Sequence, residues 1–439
     1  VGMLADNLPE PIPPSSLFCL KKVVAVKIAH LSFSFLPKIG GKEIFVHNLA
    51  LHQEEAGHQV TVITTWNCWH DMKKRGPYRM LPLLPSALLL ISRTRNLGYD
   101  LRWLVNAQVA LYQILFNFDI WHIHMAHPIG MGAASTLRNM KVSSLLSSYG
   151  GDIQTLPEIG YGIRLDPEVE KDLLEGLPKL DRVVAISPGT RAELLKLGVS
   201  REKLHEIPAG VNISRIEALP VDREAVRAKR GWPAHKTILL TVGRHHPVKG
   251  YRYIPEIIQV LAGVREDFLW VLAAGHSEPI AKMSAQMGVD AFLQIPLEKE
   301  KPSSSEQQYV RPTDDLIEMY KAADILVFPS LLEGMPLVLI EAMAARLPIV
   351  TTDAPGCRDA VLHEKTGLIS PVRDVVGMAT NILRLMEDAF LREQLAENAA
   401  KQRHSYDLKN VAARYQQLYD ELCPGSSTRH STAQRLREE

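Results

Sequence analysis

The sequence predicts an α/β protein built from two doubly wound parallel sheets. The chain has 439 residues, which exceeds the size at which one hydrophobic core stops growing, so two domains are expected. From Lys22 onward, short runs rich in β-branched residues alternate with helical patterns, which is typical of parallel α/β layers. Glycine-containing turns follow several predicted strands, as at Gly150 and Gly243. Because ligands bind at the carboxyl ends of parallel strands, two facing sheets would place these turns around one cleft.

The predicted strands fall into two groups, separated by a polar segment at 214–236. In the first half they cover 23–31, 59–65, 119–125, 142–148, 182–186 and 204–207, with the clearest helices at 42–57 and 188–197. In the second half they cover 237–242, 268–274, 291–295, 324–328 and 348–351, with helices at 251–262, 314–323 and 336–346.

The predicted domain organisation follows from this pattern. We expect a disordered segment at 1–20, a first Rossmann-like domain at 21–213, a linker at 214–236, a second Rossmann-like domain at 237–403, a helix at 404–423 that packs back toward the first domain, and a disordered tail at 424–439.

Composition narrows the class of protein. A hydrophobic content of 46% with 23% charged residues is ordinary for a soluble globular protein, and a net charge of +1 gives no global signal for nucleic acid. The four cysteines are scattered without a Cys-x-x-Cys pair, which argues against a disulfide framework and a structural zinc site. No apolar run reaches the roughly 18–20 residues of a membrane helix, and the acidic, proline-rich start is unlike a signal peptide. A cytoplasmic location is expected.

The stretch EGMPLVLIEAMAARLPIV at 333–350 carries two carboxylates eight positions apart, Glu333 and Glu341. Glu333 lies in a predicted strand-to-helix loop, and Pro336 suits the first helical position. Glu341 lies on a helix with almost no polar face, where a buried carboxylate needs a partner. Two hydroxyls of a sugar or ribose would suit it, and the amides after Gly334 would suit an anion. The alternative is structural: Glu333 caps the helix and Glu341 pairs with a buried arginine.

A second candidate is the loop GRHHPVKG at 243–250, which follows a predicted strand. Arg244 and Lys249 flank this turn and can converge on a pyrophosphate, the arginine as a bidentate fork and the lysine as a point charge. Taken alone, a basic loop is more often a solvated surface. His245 and His246 are expected to have no role in binding.

The first half contributes a glycine pair and a group of histidines. Gly40 and Gly41 precede a helix, and adjacent glycines allow close approach of the backbone to a ligand, although a plain turn is the commoner meaning. His122 and His124 share one face of a strand because side chains alternate with a period of two. No further ligands are evident, so a zinc site is not expected. Core or cleft-lining imidazoles are the alternative interpretation.

These motifs resemble the family-4, GT-B-type retaining glycosyltransferases over roughly residues 22–422. The resemblance implies that Glu333 contacts the transferred sugar and that Glu341 holds the ribose. It also implies that Arg244 and Lys249 neutralise the leaving diphosphate, and that His124, or His127 if the loop is shifted, contacts the sugar near the reacting carbon. The implied catalytic residues are Arg244, Lys249, Glu333 and His124. The implied donor-binding residues are Gly40, Gly41, Gly243, Gly334, Met335, Pro336, Leu337 and Glu341.

The implied activity is metal-independent transfer of a sugar, of the hexosyltransferase class, with retention of configuration. The donor would be a nucleotide-diphospho-sugar, and the acceptor a hydroxyl of a glycan or lipid-linked intermediate of cell-surface polysaccharide synthesis. No cofactor, metal or nucleic acid partner is expected. The alternatives are a GT-B-shaped nucleotide-sugar epimerase or phosphorylase and a catalytically silent nucleotide-sugar-binding subunit. A phosphorylase would need a pyridoxal-phosphate lysine, and nothing marks one.

Several elements depart from the family pattern. Tyr149 stands where relatives often carry the histidine of a His-Gly-x-Asp sequence, which puts an acceptor role there in doubt. The stretch 292–296 lacks the usual glycine of the base-binding strand, so the sequence does not show which nucleotide base is recognised. Residues 71–102 combine basic and apolar side chains, which suits either peripheral docking on an anionic bilayer or an ordinary amphipathic helix.

Overall fold

The computed structural model describes residues 25–73, 77–84, 102–296 and 312–424, which form two parallel sheets. Within these ranges the first sheet has seven strands in the order β3-β2-β1-β4-β5-β6-β7, all paired in parallel. They are β1 Lys27–Ser32, β2 Gln59–Thr65, β3 Arg79–Leu83, β4 Ile120–His124, β5 Ser143–Ser148, β6 Arg182–Ala185 and β7 Leu204–Glu206.

The second sheet, as far as the structure describes it, has six strands in the order β10-β9-β8-β11-β12-β13, again all parallel. They are β8 Thr237–Val242, β9 Phe268–Ala273, β10 Leu293–Gln294, β11 Ile325–Phe328, β12 Ile349–Thr352 and β13 Leu368–Ser370. The prediction of two doubly wound α/β units is therefore confirmed.

Helices connect the strands, because a parallel strand can be reached only by a crossover. Among the described residues, those of the first half are α1 Gly41–Glu55, α2 Trp66–Met72, α3 Arg102–Phe116, α4 Gly130–Met140, α5 Pro167–Gly176 and α6 Pro188–Lys196. The others are α7 Ile213–Ala218, α8 Arg223–Arg230, α9 Ile254–Ala262, α10 Glu278–Gln286, α11 Asp314–Ala322, α12 Leu337–Ala344, α13 Cys357–Ala360, α14 Val375–Glu387, α15 Ala389–Gln402 and α16 Leu408–Leu422.

Helices on both faces bury the central strands completely. Every residue of β4, β11 and β12 is buried. Strands buried on both faces carry apolar side chains almost continuously, which explains runs such as ILVF in β11. The polar residues in this setting, the histidines of β4 above all, must therefore find partners inside the protein.

The structure differs from the sequence-based expectation at a few elements. Strand β3 was not predicted because Pro82 interrupts it, but β3 is an edge strand, where the missing N–H of proline is tolerated. Strand β13 has three residues, too few to show a period of two. The segment 214–236 contains most of α7 and all of α8. Residues 1–20, most of the predicted tail, and 74–76 and 85–101 of the basic-apolar region lie outside the described residues.

The last helix, α16, packs against the first half of the chain. Its residues Tyr415 and Tyr419 are fully buried in the same core cluster as Phe45 of α1 and Ile28 of β1. At its end, the Ser143 hydroxyl of β5 donates a hydrogen bond to the carbonyl oxygen of Leu422 at 3.0 Å. After the second half, the chain therefore crosses back to the first.

Within the described ranges, no helix has both the length and the apolar character needed to cross a membrane.

Candidate functional site

The two halves meet at the loop that precedes α12. A Cβ on Gly334 would overlap the carbonyl oxygen of Tyr149, which lies in the turn after β5. Nearby, Nε2 of Gln154 donates a hydrogen bond to the carbonyl oxygen of Glu333 at 3.1 Å. The backbone of the first half thus lies directly against the start of the predicted donor helix, and position 334 has room only for glycine.

Glu333 and Lys249 form an ion pair at this junction. The Lys249 ammonium lies 2.7 Å from Oε1 and 2.9 Å from Oε2 of Glu333, and the Ser330 hydroxyl donates to Oε1 at 2.6 Å. Lys249 is positioned by a tight turn that ends at Gly250, where φ is 66° and a Cβ would overlap the carbonyl oxygen of Pro329. Lys249, the predicted phosphate-binding cation, is therefore ion-paired with Glu333, the predicted sugar-binding carboxylate.

Arg244 lies across the gap from the glycine pair of the first half. A Cβ on Gly40 would lie 3.4 Å from Nη2 of Arg244, and a Cβ on Gly41 would lie 3.4 Å from Cδ1 of Leu337. Arg244 is exposed, and it forms no hydrogen bond or ion pair with any other residue in the described part of the chain. Gly40 and Pro336 are the N-cap residues of α1 and α12, so the positive ends of two helices lie near this guanidinium. The Glu43 carboxylate lies there too, because the same Cβ on Gly40 would overlap its Oε2.

Glu341 is buried on α12, one face of which packs into the core of the second half. Its side chain accepts a hydrogen bond from the Tyr320 hydroxyl of α11 at 2.6 Å. Burial, and then the Glu341 carboxylate, raise the pKa of Tyr320, so this hydroxyl stays protonated and donates. A tyrosine thus fixes one oxygen of the carboxylate that the family resemblance assigns to the ribose.

The histidines of the first half form a cluster through strand register. Strand β1 pairs with β4 so that His30 is opposite His122 and Ser32 is opposite His124. His124 lies 2.8 Å from Nδ1 of His30 through its Nε2, and 2.8 Å from the Tyr149 hydroxyl through its Nδ1. Burial lowers the pKa of His30 to about 4 and also lowers the pKa values of His122 and His124, so all three are neutral at pH 7. Both nitrogens of His124 are therefore bound within the protein.

Two charged residues near the cleft were not predicted as part of the site. Lys42, directly after the glycine pair, donates to the carbonyl and hydroxyl oxygens of Ser34, each at 2.8 Å, and lies 3.2 Å from Oε1 of Glu43. Burial lowers the pKa of Lys42. Asp152 accepts from the Ala126 amide at 2.8 Å, which ties the turn after β5 to the end of β4. In the sequence, both residues could have been noticed as charged positions beside glycine pairs, Lys42 in GGKE and Asp152 in YGGD.

Solved structures share this architecture. A glycosyltransferase from Rickettsia africae superposes with a TM-score of 0.72 at 15% identity, covering 91% of this chain and 99% of that one. The Anabaena protein HepE, crystallised with UDP, gives a TM-score of 0.70 at 18% identity, covering 90% of this chain and all of that one. The fold is therefore GT-B, two Rossmann-like domains facing across a cleft.

Sequence comparisons agree with the fold. The family model for glycosyltransferase family 4 matches residues 39–215, and the model for glycosyl transferases group 1 matches 222–402. The chain belongs to this family of GT-B glycosyltransferases, as the motifs predicted.

Three curated relatives are between 26% and 28% identical to this chain. The N,N'-diacetylbacillosaminyl-diphospho-undecaprenol alpha-1,3-N-acetylgalactosaminyltransferase of Campylobacter jejuni is 28% identical over 53% of this chain and 58% of its own length. The putative teichuronic acid biosynthesis glycosyltransferase TuaC of Bacillus subtilis is 26% identical over 64% of each chain. The GDP-mannose-dependent alpha-mannosyltransferase of Mycobacterium tuberculosis is 26% identical over 79% of this chain and 84% of its own. The first two matches thus span less than two thirds of the relatives' lengths.

Proposed function

We propose that this protein is a retaining, metal-independent glycosyltransferase that moves a sugar from a nucleotide-diphospho-sugar to an acceptor hydroxyl. The observation that carries the proposal is the convergence of Arg244, the Lys249–Glu333 pair and two helix N-termini at the junction of the two halves. Such a concentration of positive charge suits a diphosphate leaving group. Family membership supports the same reaction class.

The chemistry needs charge stabilisation more than a protein base. As the bond from the anomeric carbon to the diphosphate oxygen breaks, negative charge builds on the diphosphate, where Arg244, Lys249 and the α12 amides would stabilise it. The acceptor hydroxyl attacks the same carbon from the face of departure, and its proton passes to the leaving phosphate oxygen. No carboxylate need take that proton, so Glu333 binds the sugar and holds Lys249 in place.

Donor binding would redistribute the contacts of Lys249. Its ammonium has three N–H donors, and Glu333 takes two of its hydrogen bonds. The diphosphate would therefore contact Lys249 while Lys249 stays paired with Glu333. It would also contact Arg244, which has no such partner among the described residues. On this assignment the sugar and the diphosphate bind to two ends of one ion pair, which couples sugar placement to charge stabilisation.

A glycan or lipid-linked acceptor of polysaccharide synthesis suits a protein that touches a membrane. Helix α3 exposes Trp103, Leu111, Ile114 and Leu115, which are 50% to 71% exposed. Lys73 ends α2, and Arg79 of β3 lies over the ring of Phe116 in α3. Both would favour anionic lipid, at about 1 kcal/mol for each basic residue near the surface. We therefore include peripheral docking on an anionic bilayer in the proposal.

The reaction is tested by incubating the purified protein with a panel of nucleotide-diphospho-sugars and candidate acceptors, followed by mass spectrometry and NMR of the product. A new glycosidic bond with the anomeric configuration of the donor is expected. Release of free or epimerised sugar without transfer would contradict the proposal.

Docking is tested by flotation with phosphatidylglycerol-containing vesicles. The double variant Trp103→Ser/Ile114→Ser should float at most one fifth as well as the unaltered protein, and Phe390→Ser, which removes an exposed aromatic from the second half, should float normally. Equal flotation of all three would contradict a role for α3.

A further inference from the structure

The histidine cluster belongs to a longer chain of hydrogen bonds that begins at the cleft. From Tyr149 the chain passes through Nδ1 and Nε2 of His124 to Nδ1 of His30, and from Nε2 of His30 to Oε1 of Gln53 at 2.6 Å. It continues from Nε2 of Gln53 to the Tyr419 hydroxyl at 3.1 Å. From Tyr419 it reaches Nδ1 of His122 at 2.7 Å, and Nε2 of His122 lies 2.7 Å from the Ser147 hydroxyl.

The orientation of the Gln53 side-chain amide determines which group donates and which accepts in each of these hydrogen bonds. A neutral imidazole donates from one nitrogen and accepts at the other. Because Gln53 offers its carbonyl oxygen, His30 donates from Nε2 and accepts at Nδ1. His124 then donates to His30 from Nε2, and its Nδ1 accepts from the Tyr149 hydroxyl. Turning the Gln53 amide over would reverse each of these bonds.

We propose that this chain of hydrogen bonds makes the Tyr149 hydroxyl donate its proton to His124. Toward the sugar, the Tyr149 oxygen can then only accept a hydrogen bond, and it selects a substrate hydroxyl at one position. The proposal rests on the glycosyltransferase function and names a specificity-determining residue for it. His124, His30 and Gln53 are positioning residues, which act through Tyr149.

The location of Tyr149 supports a substrate contact. Its backbone lies against Gly334, beside the loop that carries Glu333, and its side chain is only partly buried. Among the described residues, His124 is the one hydrogen-bond partner of its hydroxyl, which leaves the oxygen able to accept another bond. Burial raises the pKa of Tyr149, so the hydroxyl keeps its proton at neutral pH.

The direction of the chain has a chemical consequence for the substrate. An oxygen that can only accept favours a substrate hydroxyl and disfavours a hydrogen, a methoxy group or a carboxylate at the same position. With the reverse direction, the Tyr149 proton would face the sugar, and a methoxy oxygen could replace the hydroxyl.

The direction is measured without any catalytic assay. In protein labelled with 15N-histidine, long-range proton–nitrogen NMR distinguishes Nε2–H from Nδ1–H tautomers. His30 and His124 should both be Nε2–H at pH 7, assigned by His30→Gln and His124→Gln. In Gln53→Leu, which lacks the oriented amide, the fixed tautomer of His30 should be lost. Nδ1–H tautomers in the unaltered protein would overturn the proposal.

The substrate contact is measured with Tyr149→Phe, which keeps the ring beside Phe45, 6.0 Å away between centroids. With the full donor, kcat/KM should fall about fivefold to tenfold, the scale of one neutral hydrogen bond. With a panel of monodeoxy donors, the fall should vanish for the one analogue that lacks the selected hydroxyl. The double variant Tyr149→Phe/Gln53→Leu should show no further loss of selectivity.

Two results would overturn this contact. The same fall with every deoxy donor would mean that Tyr149 affects the site generally and selects no hydroxyl. If calorimetry showed that the unaltered protein binds no nucleoside diphosphate, the proposed function would fail together with the substrate contact, whereas the tautomers would still report the direction of the chain.

Discussion

At the scale of single residues, the two cations of the site are held very differently. Lys249 is fixed by Glu333 and a tight turn, whereas Arg244 is exposed and has no charged partner among the described residues. Removal of either should weaken the stabilisation of a leaving diphosphate. Only removal of Lys249 leaves a carboxylate without its counter-charge, so the two substitutions should differ in stability.

The first prediction is that Arg244→Ala and Lys249→Ala each lower kcat at least about a hundredfold, the scale of one lost charge stabiliser. Lys249→Ala should also lower Tm, because Glu333 is only 10% exposed and loses its ion pair. Steady-state kinetics and thermal unfolding measure both effects. Arg252→Ala removes an exposed arginine close by and should be neutral. Near-normal rates in both site variants would show that the phosphate assignment is wrong.

The second prediction separates the two carboxylates by calorimetry with the bare nucleoside diphosphate. Glu341→Ala should weaken binding by about 1–3 kcal/mol, the scale of a charged hydrogen bond to ribose. Glu333→Ala should leave that affinity nearly unchanged and act on turnover and sugar selectivity. Tyr320→Phe, which releases one oxygen of Glu341, should give a smaller loss in the same direction as Glu341→Ala.

Melting temperatures accompany these titrations, because Glu341 is buried and its removal can disturb α12. Equal losses of nucleotide affinity in Glu333→Ala and Glu341→Ala, with folding intact, would mean that the ribose and sugar roles are assigned wrongly.

At the scale of elements, local patterns predicted most strands because each carries its own apolar run and turn. Strand β3 escaped because Pro82 is tolerated only at a sheet edge, and edge position depends on the order of strands, which no local window contains. The motifs at Arg244, Lys249 and Glu333 could be proposed from the sequence because each lies within one strand-to-helix turn.

The hydrogen-bond chain could not be predicted in the same way. His30 meets His122 through the register of β1 with β4, and Gln53 meets Tyr419 across 366 positions of sequence. Neither contact leaves a periodic signal. A histidine within a buried strand did indicate that a polar partner existed, because an unpaired buried imidazole is costly, but not which partner.

The third prediction concerns pH and the strands that carry the histidines. In the unfolded chain, His30 is protonated below about pH 6.5. In the folded protein the same side chain stays neutral down to about pH 4. The free energy of unfolding should therefore fall as pH decreases from 6.5 to 4, by up to about 1.4 kcal/mol per pH unit for each such histidine. Denaturant titrations at pH 7, 6, 5 and 4.5 measure the slope.

The variant His30→Gln should flatten this dependence, and the exposed His404→Gln should not. If His30→Gln and the unaltered protein had the same slope, protonation of the cluster would not contribute to acid unfolding.

The fourth prediction concerns helix α16. Tyr419→Ala removes a fully buried ring and two hydrogen bonds, so it should lower the free energy of unfolding by about 3–5 kcal/mol. Phe390→Ala removes a ring that is 75% exposed and should change it by less than about 0.5 kcal/mol. Urea titrations compare the two variants. A loss for Tyr419→Ala as small as that for Phe390→Ala would mean that α16 is dispensable for the first core.

At the scale of the whole molecule, the two sheets present opposite parts of one site. The first contributes the glycine pair at Gly40 and Gly41, and the second contributes Arg244 and Leu337, which face it. Positive charge at this junction comes from side chains and from two helix ends, which is why we propose a reaction without a divalent ion.

The fifth prediction follows for the intact protein. Transfer activity should survive EDTA at millimolar concentration within about twofold, and added Mg²⁺ or Mn²⁺ should not raise kcat, because the protein's cations supply the charge that a metal otherwise supplies. Initial rates before and after chelation measure this. Complete loss on chelation, restored by either ion, would refute the proposed charge balance.

Helix α16 has a further consequence for how this chain is made. The first sheet emerges from the ribosome before the second, and N-terminal domains generally fold as they emerge. Here Tyr415 and Tyr419, which close the core between α1 and β4, are synthesised only after every strand of the second sheet. During translation the apolar core of the first sheet therefore stays uncovered until the second sheet has been synthesised. In the same interval the histidine cluster lacks its hydrogen bond with Tyr419. Chaperone dependence should accordingly be concentrated in the interval after β7 leaves the ribosome and before α16 does.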